Sequence, residues 1–516
     1  MMIPRSSGIF LHPTSLPGRY GIGDLGPEAH QFLAFLAETG QTWWQILPLG
    51  PIGPGNSPYQ SPSSFAGNWL LISPELLLAD GLLDAEELAA YPQLDDEVVD
   101  FHAVRHHKRA LLDRAFQRFR TDDPDFERFQ REQAGWLDDF ALFTALSELH
   151  EGRPWYEWPR EIALRHGDSM GYWRHRLEEE GRIPFVKFQQ FLFDRQWRLL
   201  RQLARVRGIR LIGDVPIYVA LDSADVWARP DLFRLDENGR PTHVAGVPPD
   251  FFNADGQHWG NPLYRWDVHR AEGYRWWIER LAAVLGRVDL VRLDHFRGFQ
   301  AYWEIPAWSG HARDGYWMDG PDAHPEDAPF LSTLHAHFGG LPLIAEDLGH
   351  ITPPVYALRD RFDLPGMKIL QYAFGGAPDH PYLPHNYPRN CFVYTGTHDS
   401  DTIVGWFKSP EGQHEHPEHW EAEKRFVLSY LGTNGQAIHW DMIRLALASV
   451  AVTAVAPLQD VLGLGVETRM NRPGIAEGNW GWRLRQGALD RDCRERLAKL
   501  TYDYGRWNPT SPPPST

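Results

Sequence analysis

Short apolar runs recur along this chain, and most of them end in polar or charged residues. They cover residues 8–12 (GIFLH), 42–48 (TWWQILP), 210–214 (RLIGD), 288–294 (VDLVRLD), 343–346 (LIAE), 366–370 (GMKIL), 391–395 (CFVYT) and 450–457 (VAVTAVAP). Runs this short, bounded by turn-forming residues, read as buried strands. Helical periodicity lies between many of them. From Glu28 to Gly40 the pattern sets Phe32, Phe35 and Leu36 on one face and stops at a glycine, a common residue just past a helix end. From Val186 to Gly208 it sets Phe188, Phe191, Leu192, Leu199, Leu203 and Val206 on one face. Strands that alternate with helices predict a parallel sheet. Eight of them predict a closed (β/α)8 barrel, an α/β fold. An open doubly wound sheet is the competitor, but no glycine-rich phosphate turn follows the first strand.

The spacing of the runs sets the domain organisation. About 160 residues separate the second run from the third, far more than a crossover needs. Residues 1–67 are therefore expected to supply barrel strands one and two. Residues 68–183 are expected to form a mostly helical insertion, with helical patterns at 95–119 and 138–149. Residues 184–507 would complete the barrel. A second insertion, at about 222–266, is rich in Pro, Gly, Asn and aromatic residues and reads as long loops. The proline-rich end, 508–516, is expected to be a flexible tail.

Composition narrows the function. The net charge is −17 over 516 residues. Such a chain should repel nucleic acid and anionic membrane, and it suits a neutral or cationic partner. The two cysteines, Cys391 and Cys493, make neither a disulfide framework nor a CxxC metal site. The first residues have no apolar signal core, and the longest nearly apolar run, 445–458, is too short to span a bilayer and contains Pro457. A cytoplasmic protein is the expectation. Aromatic residues are abundant, with 22 Trp, 18 Tyr and 27 Phe. Most should fill the core. A ring beside a carboxylate motif is different, because it can stack on the apolar face of a sugar.

In a barrel of this kind the site lies at the C-terminal strand ends. This sequence places Asp214, Asp294, Glu346 and the Thr397-His398-Asp399 turn there. Arg292 and Asp294 are two apart on a strand and so share a face. A guanidinium favours the charged form of a neighbouring carboxylate, which suits a nucleophile; a purely structural ion pair is the alternative. Glu346 and Asp347 are adjacent and point to opposite faces. One can look into the site while the other braces a loop. Glu346 beside an anionic Asp294 would hold its proton, as a general acid must. Asp399 and His398 could hydrogen-bond sugar hydroxyls. The histidine spacing fits no common metal motif, so neither metal nor cofactor is expected. Two carboxylates with an assisting third are the requirement of retaining glycoside chemistry.

The chain resembles the amylomaltases, the 4-α-glucanotransferases or disproportionating enzymes of the α-amylase clan, over nearly its whole length. The resemblance rests on Leu11-His12-Pro13-Thr14-Ser15-Leu16-Pro17-Gly18, Trp44-Gln45-Ile46-Leu47-Pro48-Leu49-Gly50 and Ser57-Pro58-Tyr59-Gln60-Ser61. It continues through Gly213-Asp214-Val215-Pro216-Ile217-Tyr218-Val219, Gly246-Val247-Pro248-Pro249-Asp250, Arg469-Met470-Asn471 and Gly478-Asn479-Trp480. It implies Asp294 as nucleophile, Glu346 as acid/base and Asp399 as a stabiliser of the transition state. Asp214, Arg292 and His398 match the clan's supporting positions, and Tyr59 would stack on the donor sugar. Ser57 and Asn471, within these motifs, and His295, next to Asp294, are further substrate-binding candidates. Asp250, Phe251, Gln257 and Trp259 belong to residues 248–259, which could cover the site and exclude water. Tyr218 and Val219 stand where α-amylases carry Asn-His, a change that amylomaltases share. No stretch after strand eight is long enough for the β-sandwich that ends an α-amylase. The implied partners are α-1,4-glucans and maltooligosaccharides, as donor and acceptor. An α-1,4-glucan hydrolase with the same carboxylates is the alternative.

Overall fold

The computed structural model describes residues 3–249, 254–375, 377–408, 420–511 and 513. Among them the strands are, in chain order, β1 (Ser6–Phe10), β2 (Trp43–Gln45), β3 (Arg210–Pro216), β4 (His243–Val247), β5 (Gln257–Pro262) and β6 (Leu290–Asp294). After these come β7 (Ala301–Pro306), β8 (Tyr316–Asp319), β9 (Leu343–Ala345), β10 (Gly366–Ile369), β11 (Cys391–Tyr394) and β12 (Thr453–Pro457). The larger sheet has the order β10-β11-β12-β1-β2-β3-β6-β9, and every pairing in it is parallel. Each of the eight apolar runs supplies one of these strands. The sheet's two ends meet without a regular ladder. Ala345 N–H donates to Pro365 O at 2.9 Å, and Met367 N–H donates to the Asp347 carboxylate at 2.7 Å. The result is a (β/α)8 barrel, closed through that seam. No strand follows β12 among the described residues.

The helix Pro27–Glu38 begins with proline, whose fixed φ suits a first turn, and it buries Phe32, Phe35 and Leu36. Gly40 follows at φ +69°, the left-handed conformation that glycine adopts without strain. A Cβ on Gly40 would also lie 2.1 Å from the Trp507 ring, so the position needs glycine twice over. The helix Arg182–Val206 departs from the expected stripe. Leu199 and Val206 are 48% and 79% exposed, whereas Phe188, Leu192, Gln196, Leu200 and Ala204 are buried. The buried row follows i, i+4 spacing, the ridge that packs between neighbouring elements, and the other apolar positions fall beside it.

Between β2 and β3 lie the helices Phe101–Arg118, Pro124–Leu149 and Gly167–Glu179. The described residues of 222–266 do not form the long loops that composition suggests. They hold the helix Ala224–Ala228 and the strands β4 and β5. These join β7 and β8 in an antiparallel sheet of order β5-β4-β7-β8. The partner strands lie beyond β6 in sequence, so local composition misses pairing that is made at long range.

The chain end departs from the flexible-tail expectation as well. Asn508 N–H donates to Gly40 O at 2.8 Å, and its side-chain amide donates to Gln41 O and Gly208 O, each at 3.0 Å. One amide thus satisfies the turns that lead into β2 and β3, and residues 508–511 dock against the barrel. Next to it, the fully buried Arg506 guanidinium donates to Ser6 O (2.7 Å), Leu447 O (2.8 Å) and Ala451 O (2.9 Å). Arg506→Ala removes the guanidinium that bridges these carbonyls, of which Leu447 O keeps only the Arg5 side chain as a side-chain donor. We expect a stability loss of about 3 kcal/mol or more, visible as a lower calorimetric Tm. An unchanged Tm would show that the cluster contributes nothing. Among the described residues no helix is long and apolar enough to cross a membrane.

Candidate functional site

The polar interior of the barrel rises in layers to its C-terminal mouth. Low in the barrel, Tyr394 Oη donates to Gln45 Oε1 at 3.0 Å. Above them the buried Arg292 lies between two carboxylates. Its Nη1 donates to Asp214 at 2.8 and 3.0 Å, and its Nη2 is 2.7 Å from Asp294 Oδ1. Strand alternation thus puts Arg292 and Asp294 on one face. Asp214 sits across from them on β3, where Tyr59 Oη donates to its Oδ2 at 3.0 Å. Burial pushes the Asp214 carboxyl up to about 6, against the pull of Arg292.

The chain leaves β6 through His295 at φ +54°, an unusual backbone conformation for a residue with a side chain. There the His295 N–H donates to Glu346 Oε2 at 2.7 Å, and the Leu348 N–H donates to Oε1 at 2.9 Å. Both oxygens are fixed by backbone. Burial nevertheless pushes the Glu346 carboxyl up to about 7, Asp294 adds to the rise, and Arg292 and the two N–H groups oppose it. Asp347 faces the other way. It accepts from Met367 N–H at 2.7 Å and Arg359 Nη1 at 2.6 Å, the bracing role open to one of the two adjacent acids.

Asp399 follows β11. Its Oδ1 accepts from Asn471 Nδ2 at 2.6 Å, and its Oδ2 is 3.3 Å from His398 Nε2. Enclosure in the cleft raises its pKa, but His398 and Asn471 outweigh that and hold the carboxyl well below the usual range. The His398 ring stacks on Tyr59, with centroids 5.1 Å apart at 20°. On β5, Trp259 meets His295 edge-on at 4.9 Å and donates to Gln257 Oε1 at 2.9 Å. Ser57 Oγ accepts from Tyr59 N–H at 3.2 Å.

One mouth therefore gathers Asp294, Glu346, Asp399, Asp214, Arg292, Tyr59, His295, His398 and Asn471. Ser57 supports Tyr59, and Gln257 supports Trp259. Asp250 and Phe251 lie outside the described residues. The sequence reading missed Trp480, whose ring lies 5.8 Å from Tyr59 and 5.9 Å from His398. Its motif was visible, but its position depends on φ +66° at Trp480 itself, which no pattern announces. His12 was missed too. Its Nδ1 accepts from Leu47 N–H at 3.2 Å, and burial, then His398, pushes its pKa down to about 3. Chemically, the mouth offers an acid that keeps its proton near neutrality, a carboxylate bridged to a guanidinium, and a third carboxylate held as an anion.

Known proteins resemble this chain over nearly its whole length. The profile described as 4-alpha-glucanotransferase matches residues 11–489. A 4-alpha-glucanotransferase of Thermus thermophilus is 48% identical over 513 residues, covering 97% of this chain and 99% of the relative. One from a Synechocystis strain is 47% identical over 515 residues, covering 98% and 99%. Among solved structures, an amylomaltase from Streptococcus agalactiae in complex with acarbose superposes with a TM-score of 0.92 at 37% identity, covering 98% of this chain and 100% of that one. The chain belongs to the 4-alpha-glucanotransferase family, and it is a transferase that acts on glucans.

Proposed function

We propose that the enzyme moves α-1,4-glucan segments between maltooligosaccharides or starch-type glucans by a retaining double displacement. Glu346 protonates the glycosidic oxygen while Asp294 attacks the anomeric carbon. The leaving glucan departs with that proton, and a covalent glycosyl-enzyme remains. The 4-hydroxyl of a second glucan then attacks as Glu346 takes its proton, and the α configuration returns. Asp399 holds ring hydroxyls as the charge develops, with His398 and Asn471 keeping it anionic. Tyr59 stacks on the donor sugar. The His295 Nε2, buried without a hydrogen-bond partner, can take a sugar hydroxyl. The observation that carries this reading is the placement, at one barrel mouth, of the buried Glu346, both oxygens held by backbone N–H groups, with the Arg292-bridged Asp294. The acarbose held by the Streptococcus agalactiae relative supports it.

Transfer prevails only if the acceptor outcompetes water at about 55 M, so positioning and water exclusion must decide the outcome. Incubated with maltotriose, the enzyme should yield glucose and longer maltooligosaccharides while total reducing ends stay nearly constant. Each transfer breaks one glycosidic bond and makes another. Reducing ends that climb in step with glucose would establish the hydrolase instead.

A further inference from the structure

The small sheet presents an aromatic surface that the chemistry above does not use. All four residues of β8 are exposed, and Tyr316 and Trp317 are 42% and 40% exposed. Trp308, in the connection between β7 and β8, is 83% exposed. Strand β8 is also the edge of its sheet. Exposed edges that carry large rings are normally blunted or covered, and clustered surface rings mark binding sites.

The Trp317 ring is held in place. The Trp303 ring meets it edge-on at 5.2 Å, and the Arg297 guanidinium lies over it at 3.9 Å from its centroid. Arg297 donates in turn to His350 O. These contacts place the surface beside the barrel mouth without touching the groups that hold Glu346. Arg297 is two residues past His295, whose N–H holds Glu346, and His350 is four residues past Glu346. The other side of the hairpin is tied as well. Trp303 Nε1 donates to Ala312 O at 2.8 Å, and Arg313 pairs with Asp255 at 2.7 Å, just ahead of β5 and Trp259. Trp317 thus stands, through Arg297, against the loops that follow β6 and β9 at the barrel mouth, and Trp308 projects from the same hairpin.

We propose that the β7–β8 hairpin, through Trp317 and Trp308, is an accessory platform for the distal part of a long α-glucan whose reacting end occupies the barrel mouth. This rests on the glucan-transfer reading above. Tryptophan rings suit the apolar faces of pyranose units, and an uncharged glucan is not repelled by a protein of net charge −17. A second foothold on the same chain raises its effective concentration at the first. Maltotriose is too short to use both footholds.

The test uses the full chain with Trp308→Ala and Trp317→Ala, singly and together, and Trp317→Phe as the variant that keeps a ring. We expect the double variant to raise the Kd for amylose, measured by retardation in amylose-containing native gels, by about tenfold. The KM for amylose should rise alongside, and kcat/KM for maltotriose should stay within about twofold of the parent. Trp317→Phe should keep most of the amylose affinity. Unchanged amylose binding overturns the proposal, as does an equal loss on both substrates. A dimer of the parent that Trp317→Ala dissociates, with no change toward amylose, overturns it in favour of a second copy on β8. If the parent fails to disproportionate maltotriose, the transfer reading fails separately, because gel retardation reports the platform without turnover.

Discussion

Asp294→Asn is expected to cut disproportionation of maltotriose by at least ~10³-fold while the protein stays folded. The substitution keeps size and hydrogen-bonding capacity but removes the attacking charge, so the covalent route loses its first step. Arg292 keeps Asp214 as a partner through Nη1, so the cluster that orders the mouth survives. Near-parental circular dichroism and Tm with that loss of rate would match the assignment. A folded variant with parental transfer would remove Asp294 from the nucleophile's role.

The second large effect concerns Glu346. Its carboxyl is pushed up to about 7, above the ordinary carboxylate range, so below that pH it holds the proton that the leaving oxygen needs. The sign follows directly. For unactivated glucans, kcat/KM should be highest below about 7 and fall as pH rises through that value, approaching tenfold per unit. Glu346→Gln should lower activity on maltotriose by about 10²–10⁴-fold, the usual contribution of a general acid, and erase this limb. A maltosyl donor with a fluoride leaving group needs no protonation, so formation of the glycosyl-enzyme from it should largely survive. Equal loss on both donors would mean that Glu346 positions substrate and does not transfer a proton.

Much of this site was legible because its carboxylates end strands. Asp294 and Glu346 close apolar runs, and Asp399 follows one within a few residues, so the barrel's own rule places them. Arg292 beside Asp294 needed only strand periodicity. The opposite facing of Glu346 and Asp347 needed only that adjacent side chains diverge. What escaped the sequence depends on contacts made at a distance. The strands β4 and β5 exist because β7 offers its edge, and the docked end at Asn508 exists because two loops leave carbonyls open. Trp480 reaches Tyr59 through a left-handed residue. The exposure of Leu199 shows the same limit in a helix, where the apolar pattern names candidates for the core and the neighbouring elements choose among them.

The barrel's seam has a consequence for motion. Seven regular ladders hold the ring, and the eighth junction is stitched by the Ala345–Pro365 bond and the Asp347 carboxylate. Thermal breathing of such a cylinder concentrates where the stitching is sparsest, and the amides there are the ones most open to hydrogen exchange. Here that joint adjoins Glu346. Parting β9 from β10 would pull on Asp347 and, through the adjoining peptide, on Glu346, the acid that the proposed cycle has pass a proton out and back. The most sparsely stitched line in the scaffold therefore runs beside the group proposed to give up and regain a proton.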